Sequence, residues 1–267
     1  MKKTILLLLL LPTMASQMLS AKETTRVVVR LKIKCTISQP GMFAEYAERY
    51  LGVKDAVKTQ STEYTLKEMT LFEQATAPEA EKHKLDTAIH FNLSCLGEEA
   101  LAATSIPKMA ERAAKQIYQL REARTALITG DMNVLPDGQA LKTMLKHIER
   151  EERELVSLFI GKKATYTFYK DIIITPDKDL DNEVIARFSR LEGIVDADDY
   201  VGEPIYMTLK GKRVKAPELT PRQQKKVYAY EYVKGNAEIM VMFGDMMTEK
   251  LYLDEVRQFG ADIPLID

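Results

Sequence analysis

The segment from Ser105 to Gly161 constrains this chain more than any other. Ile106, Met109, Ala110, Ala113, Ile117, Leu120, Leu127 and Ile128 recur at helical spacing. Leu141, Met144, Leu145, Ile148, Glu152, Leu155, Val156 and Phe159 form a second such stripe. Ser105 can cap the first helix, Pro107 is tolerated in its first turn, and Gly130 can end it. Asp137 can cap the second, and Gly161 stops it. Each helix exceeds twenty residues, roughly 35 Å at 1.5 Å per residue. The short connection Asp131–Asp137 forces them antiparallel. Each stripe is apolar on one side only. It either packs into a core or projects as a surface for a partner.

On both sides of this hairpin the period changes from helical to alternating. Val27, Val29, Leu31, Ile33, Cys35 and Ile37 alternate with Arg30, Lys32, Lys34 and Thr36, which predicts a half-buried strand. Gln39-Pro40-Gly41 turns the chain, and Met42–Leu51 reads as a helix that Gly52 ends in a left-handed conformation. A second strand is expected over Thr62–Phe72, with a bulge or bend near Lys67-Glu68 where the alternation breaks. Gln74–Lys84 reads as a loop, and Ala88–Leu96 as a strand carrying Cys95. After the hairpin, Ala164–Thr175, Val184–Leu191 and Ile205–Leu209 read as strands. Val227–Val233 and Ala237–Phe243 flank Lys234-Gly235-Asn236, which suggests a hairpin turn. That register puts Tyr228, Tyr230 and Tyr232 on a core face with Ile239, Val241 and Phe243. A last strand is expected over Thr248–Leu253 and a helical turn over Asp254–Phe259. The fold class is α+β: two mainly antiparallel β modules, 22–104 and 162–267, flank the helical hairpin of 105–161.

The first 21 residues predict export. Lys2 and Lys3 precede the apolar run Ile5–Leu11, then Pro12 and small residues, as in a secretory signal peptide. The run is far shorter than the ~20 residues of a membrane-spanning helix, and no other stretch approaches that length. Cleavage is expected after Ala21, with Ala15 as the alternative. The first cysteine is Cys35, so the sequence supplies no lipid anchor at the cut. The exported chain is therefore expected in the periplasm or outside the cell. Losing Lys2 and Lys3 lowers the basic count from 38 to 36 against 39 acids, a formal charge of −3.

In an oxidising compartment the two cysteines have two readings. Both fall on apolar strand faces. They either form a disulfide closing a loop of about 60 residues, worth ~4 kcal/mol in the loop-entropy model, or remain buried thiols.

Composition and motifs exclude more than they assign. Gly 12 and Pro 10 are too few for a collagenous or low-complexity chain, and charge is too balanced for a nucleic-acid binder. His83, His90 and His147 lie in no zinc pattern, no serine lies in Gly-x-Ser-x-Gly, and no phosphate or dinucleotide loop is present. Asp196, Asp198, Asp199 and Glu203 lie in a Gly-containing loop and are a calcium candidate, since Ca²⁺ takes six to eight oxygens. The alternative is an acidic connection whose aspartates make local turns. Lys210, Lys212, Arg213, Lys215, Arg222, Lys225 and Lys226 form a basic run interrupted by Pro217 and Pro221. It is either an anion-binding patch or a solvated loop. It lacks interleaved aromatics, so nucleic acid is not expected. No cofactor other than calcium is suggested.

Four phrases, in order, carry a family resemblance. They are Pro40-Gly41-Met42-Phe43-Ala44-Glu45-Tyr46-Ala47-Glu48-Arg49-Tyr50-Leu51-Gly52; Lys115-Gln116-Ile117-Tyr118 through Arg121-Glu122-Ala123-Arg124 to Thr129-Gly130-Asp131; Phe188-Ser189 through Gly193-Ile194-Val195-Asp196-Ala197-Asp198-Asp199 to Gly202-Glu203-Pro204; and Gln258-Phe259-Gly260. Together, from about Arg26 to Leu265, they resemble an uncharacterised secreted family of Bacteroidetes bacteria, a domain of unknown function (DUF4831). The resemblance implies a Gram-negative envelope location and a further strand pair beyond Gln258-Phe259-Gly260, although this chain stops at Asp267. It implies no catalytic or binding residue. The function expected is a non-catalytic envelope protein that binds a protein or a surface polymer. The alternative is an envelope hydrolase or carbohydrate-active protein whose carboxylates meet only in three dimensions.

Overall fold

The computed structural model describes residues 24–79, 89–131 and 138–266. The expected signal peptide, His83 and the Asp137 cap lie outside these residues.

Strand β1 (Val27–Gln39) is the middle of a three-stranded antiparallel sheet, between β2 (Ser61–Glu73) and β3 (Lys162–Ile174). The bulge expected in β2 is present. Lys32 pairs with Glu68 and Ile33 with Leu66, which leaves Lys67 unpaired. Between β1 and β2, a 3-10 turn (Ala44–Tyr46) runs into α1 (Ala47–Leu51), and Gly52 ends it at φ +70°. A short α2 (Glu98–Leu101) precedes α3 (Ile106–Thr129) and α4 (Gly138–Ile160), the two long helices expected, whose connection at 132–137 lies outside the described residues. Gly130 caps α3 in the left-handed conformation. Ser105 occupies the N-cap without a side-chain hydrogen bond.

The second sheet contains β4 (Leu180–Ser189), β5 (Gly193–Val195), β6 (Glu203–Lys212), β7 (Val227–Phe243), β8 (Met246–Met247) and β9 (Leu251–Ile266). A short α5 (Pro221–Gln224) precedes β7, and Thr220 caps it reciprocally with Gln223. The order is β5-β4-β6-β7-β8, with β9 also on β7.

The two sheets share one core. Leu31 and Ile33 of β1, Leu66 of β2, Ile205 and Leu209 of β6, and Ile239 of β7 belong to a single buried cluster. The class is α+β with antiparallel sheets, but the β segments on either side of the hairpin are not separate modules. β3, from beyond the hairpin, pairs along the whole of β1, Val27 with Ile174 through Gln39 with Lys162. The result is a sandwich with the helices inserted between β2 and β3. Arg30, 8% exposed, fastens this sheet with a bidentate pair to Asp171 at 2.8 and 2.7 Å and lies over the Phe72 ring.

The helices form a second core. Ala110, Ala113 and Ile117 of α3 meet Leu155, Leu158 and Phe159 of α4, and Phe43 packs on Phe159 at 5.1 Å. This core takes in only the base of the hairpin. Farther out, Ile128 and Met144 are 62% and 43% exposed, and ion pairs Arg121–Glu152 and Arg124–Glu149 bridge the helices. The helices thus share the second core at one end, and farther out they are joined by these ion pairs, with Leu127 still buried.

Four local expectations are corrected: the Cys95 strand, the Gly235 turn, the tyrosine core face and the Asp254–Phe259 helical turn. Cys95 is not on a strand. Leu93–Cys95 is a 3-10 turn, because Asn92 Oδ1 accepts hydrogen bonds from the Ser94 amide and hydroxyl, and these local bonds compete with strand pairing. Cys95 therefore lies in the helical core, whereas Cys35 pairs with Tyr64 and Tyr166 in the sheet. Both are free thiols, and the bridge is not formed.

Gly235 makes no turn. β7 runs straight through it, with Gly235 buried opposite Val256. A Cβ there would lie 2.5 Å from the Phe259 carbonyl oxygen and 2.6 Å from that of Lys212, so glycine permits close approach rather than reversal. Without the reversal, Tyr228 and Tyr230 are exposed, each 66%, while Ile239 and Val241 are buried. Asp254–Phe259 is likewise strand, not helix. Val233 pairs with Ala261 and Gly235 with Val256, so the residues around Gln258-Phe259-Gly260 form a bulge that drives Phe259 into the core.

Candidate functional site

The loop expected to be acidic frames a cleft of about 450 Å³ at one end of the sandwich. Tyr64 and Leu66 of β2, Phe188 of β4 and Phe243 of β7 supply its apolar lining, and Arg190 and Glu203 its charges. Phe188 and Phe243 meet edge to face at 5.6 Å. Tyr64 stands edge-on to Phe168 at 6.5 Å. Its ring also lies against Gly193, whose φ of +82° is a conformation that side chains rarely adopt. The two sheets are tied here by the Tyr64 amide, which donates to the Arg190 carbonyl at 2.8 Å.

The loop is braced from beneath. Arg187 donates through Nε to the Ala197 carbonyl at 2.9 Å and through Nη1 to the Gly202 carbonyl at 3.2 Å. Its guanidinium lies 4.6 Å from the Tyr200 ring centroid. Buried Ser189 accepts the amides of Leu191 and Glu192 at its hydroxyl. On this frame Leu191, Tyr200 and Val201 are 71%, 84% and 60% exposed. Apolar side chains held outward on a fixed backbone favour association, because burying them costs little loop ordering.

The Asp199 side chain serves turn formation. Asp199 Oδ1 accepts the Val201 amide at 3.0 Å, and the Asp199 amide donates to the Asp196 carbonyl at 3.1 Å. Among the described residues, no three His, Cys, Asp or Glu side chains converge as a metal site would require. Asp196, Asp198, Asp199 and Glu203 are thus not brought together as a ligand set. Among the described residues, the cleft lining includes one carboxylate, Glu203, and no histidine, so they bring no carboxylate pair for acid–base chemistry to it.

Beside the cleft, Cys35 lies between Tyr64 and Tyr166. Burial raises both phenol pKa values, and the neighbouring thiol raises them further. Burial likewise raises the Cys95 thiol. The sequence signalled Tyr64 and Tyr166 only as strand residues, and the two cysteines as either a bridge or buried thiols.

The basic run is dispersed. Lys210 and Lys212 end β6, Lys225 and Lys226 follow α5, and Lys215 lies between them. Arg213 is engaged structurally: it donates to the Asp177 carbonyl at 2.8 Å and stacks on Phe259 at 4.8 Å.

No helix among the described residues is long and apolar enough to cross a membrane. No curated protein and no solved structure matches the chain. A family model does, over residues 23–91 and 72–265, which together span all four sequence phrases. The chain belongs to the domain of unknown function family DUF4831.

Proposed function

We propose that this chain is an exported, non-catalytic cell-envelope protein that binds a protein partner or surface polymer at the open end of its sandwich. The observation that carries the reading is the braced loop, with Leu191, Tyr200 and Val201 exposed around a cleft whose described lining has a single carboxylate. Catalysis by paired carboxylates would need a second acid there. An apolar floor with a few polar groups at its margin suits a docked side chain or sugar face. The amino-terminal sequence supports export: a basic start, a short apolar run and small residues before Lys22.

In-cell crosslinking with mass spectrometry tests the reading. A crosslinkable residue at Leu191 or Val201 is expected to capture a partner or polymer, and Arg187→Ala is expected to reduce that capture by loosening the loop. Crosslinks that avoid the loop while the protein is folded in the envelope would overturn it. Sequencing of the mature amino terminus tests export separately, with a start at Lys22 expected.

A further inference from the structure

The first half of β7 has a strand on one side only. β6 joins β7 from Asn236 to Met242, whereas the segment from Val227 to Val233 pairs with β9 alone, between Ala261 and Ile266. Its opposite edge has no strand partner among the described residues. Tyr228, Tyr230, Glu231, Tyr232 and Val233 are all exposed, so both faces of this two-stranded ribbon are open. Two strands by themselves are marginal in water, and an open apolar edge invites a further strand.

The two edges of the ribbon differ. On β9, Pro264 lies opposite Tyr230. A proline in a sheet turns its nitrogen away from the neighbouring strand, because it has no N–H to donate. Pro264 thus blunts the outer edge of β9. Tyr230 and Pro264 then exchange no hydrogen bonds, so the Tyr230 N–H and C=O also point away from β9, toward the open edge of β7. That edge carries no proline, glycine or lysine from Val227 to Val233. Only Tyr228, near its start, falls out of register with β9.

The open segment reads nearly the same in both directions: Val227-Tyr228-Ala229-Tyr230-Glu231-Tyr232-Val233. A second copy laid antiparallel about a two-fold axis at Tyr230 therefore meets like with like. Tyr230 exchanges both main-chain hydrogen bonds with Tyr230 of the second copy. Tyr228 comes beside Tyr232, and Val227 beside Val233. Glu231, the one charge in the segment, falls opposite Ala229 rather than opposite itself. Just outside, Lys226 falls opposite Lys234, whose charge is already paired with Glu255. With the exposed tyrosines of both copies, the contact covers on the order of 1,000 Å², the lower end for a specific interface. We propose that the protein forms a symmetric dimer in which the β7 edges of two copies join into one sheet. None of these residues lines the sandwich cleft, and the proposal does not depend on that site.

Sedimentation equilibrium of the full mature chain across micromolar concentrations is the test, and a reversible dimer is expected. Tyr230→Pro removes the central N–H without taking a hydrogen bond from β9, and should weaken dimerisation at least roughly tenfold. Ala229→Glu places a second carboxylate opposite Glu231 and should also weaken it. Ala229→Lys should not, because its charge meets Glu231. Both Ala229 variants should match the parent in circular dichroism. On oxidation, Tyr230→Cys should give a covalent dimer, because the two copies of that position face each other, and Tyr228→Cys should not. A chain that stays monomeric at every concentration, as it would if the edge served a different protein, would overturn the proposal. So would a dimer indifferent to Tyr230→Pro and Ala229→Glu, equal weakening by the two Ala229 variants, or equal crosslinking at positions 228 and 230.

Discussion

Phe259 should behave as a plug whose socket is made of glycine. It is 1% exposed. A Cβ on Gly211 would lie 2.3 Å from its Cε2, and one on Gly235 would lie 2.7 Å from its Cβ. The socket is held in place: the Gly211 amide donates to Asp179 at 2.9 Å, and the Val214 amide to the Phe259 carbonyl at 2.9 Å. Phe259→Ala should therefore leave a cavity that the backbone cannot close. Its cost should fall near the middle of the range for such truncations, about 4 kcal/mol. The lost stacking of Arg213 is included in that figure. Gly211→Ala should cost about 2 kcal/mol, because a methyl group must displace the ring. Combined, the new methyl enters the space the ring left. The double variant should be about 2 kcal/mol more stable than additivity predicts. The assay is urea unfolding followed by far-ultraviolet circular dichroism, since the chain has no Trp. Additive costs, or a Gly211→Ala variant as stable as the parent, would refute the socket.

Asp171→Ala should destabilise the protein by roughly 3 kcal/mol, since it leaves the Arg30 charge buried and alone; denaturant midpoints check this. Stability should fall as pH rises above about 10, because tyrosines of the unfolded chain ionise there while buried Tyr64 and Tyr166 remain protonated. The folded pKa is raised, so the contribution is complete below the unfolded value and is lost above it. Tyr166→Phe should flatten that decline. Denatured without reductant, the chain should titrate as two thiols, Cys35 and Cys95, and a titre of zero would mean a bridge. Hydrogen exchange should be faster in 121–129 and 138–150 than at the base of the hairpin, because the outer turns lie beyond the helical core.

What could be read from the residues was local. Gly52 and Gly130 end helices where the stripes stop, and Lys67 bulges where the alternation breaks. Each such signal acts within a few residues: a left-handed glycine, a cap, a period of two or of 3.6. The candidate site was legible in part. The loop at 192–204 stood out for its acids, whereas the folded loop holds its apolar Tyr200 and Val201 outward, and the Arg187 contacts that brace it were invisible.

The same limit explains the errors. Asn92 and Ser94 sat in an alternating pattern, and only a local hydrogen bond against the helical core made the segment a turn. Gly235-Asn236 has the composition of a hairpin turn in isolation. In the folded chain, Lys212 on one side and Phe259 on the other approach Gly235 and carry the strand through. β1 joins β3 across the whole helical insertion, a partnership between residues some 140 positions apart that no local pattern encodes. By itself the sequence determined the helices, the bends and most of the strands, because these depend on near neighbours. The tertiary structure decided which strands pair and which faces are buried, because those choices depend on groups that meet only when the chain has folded.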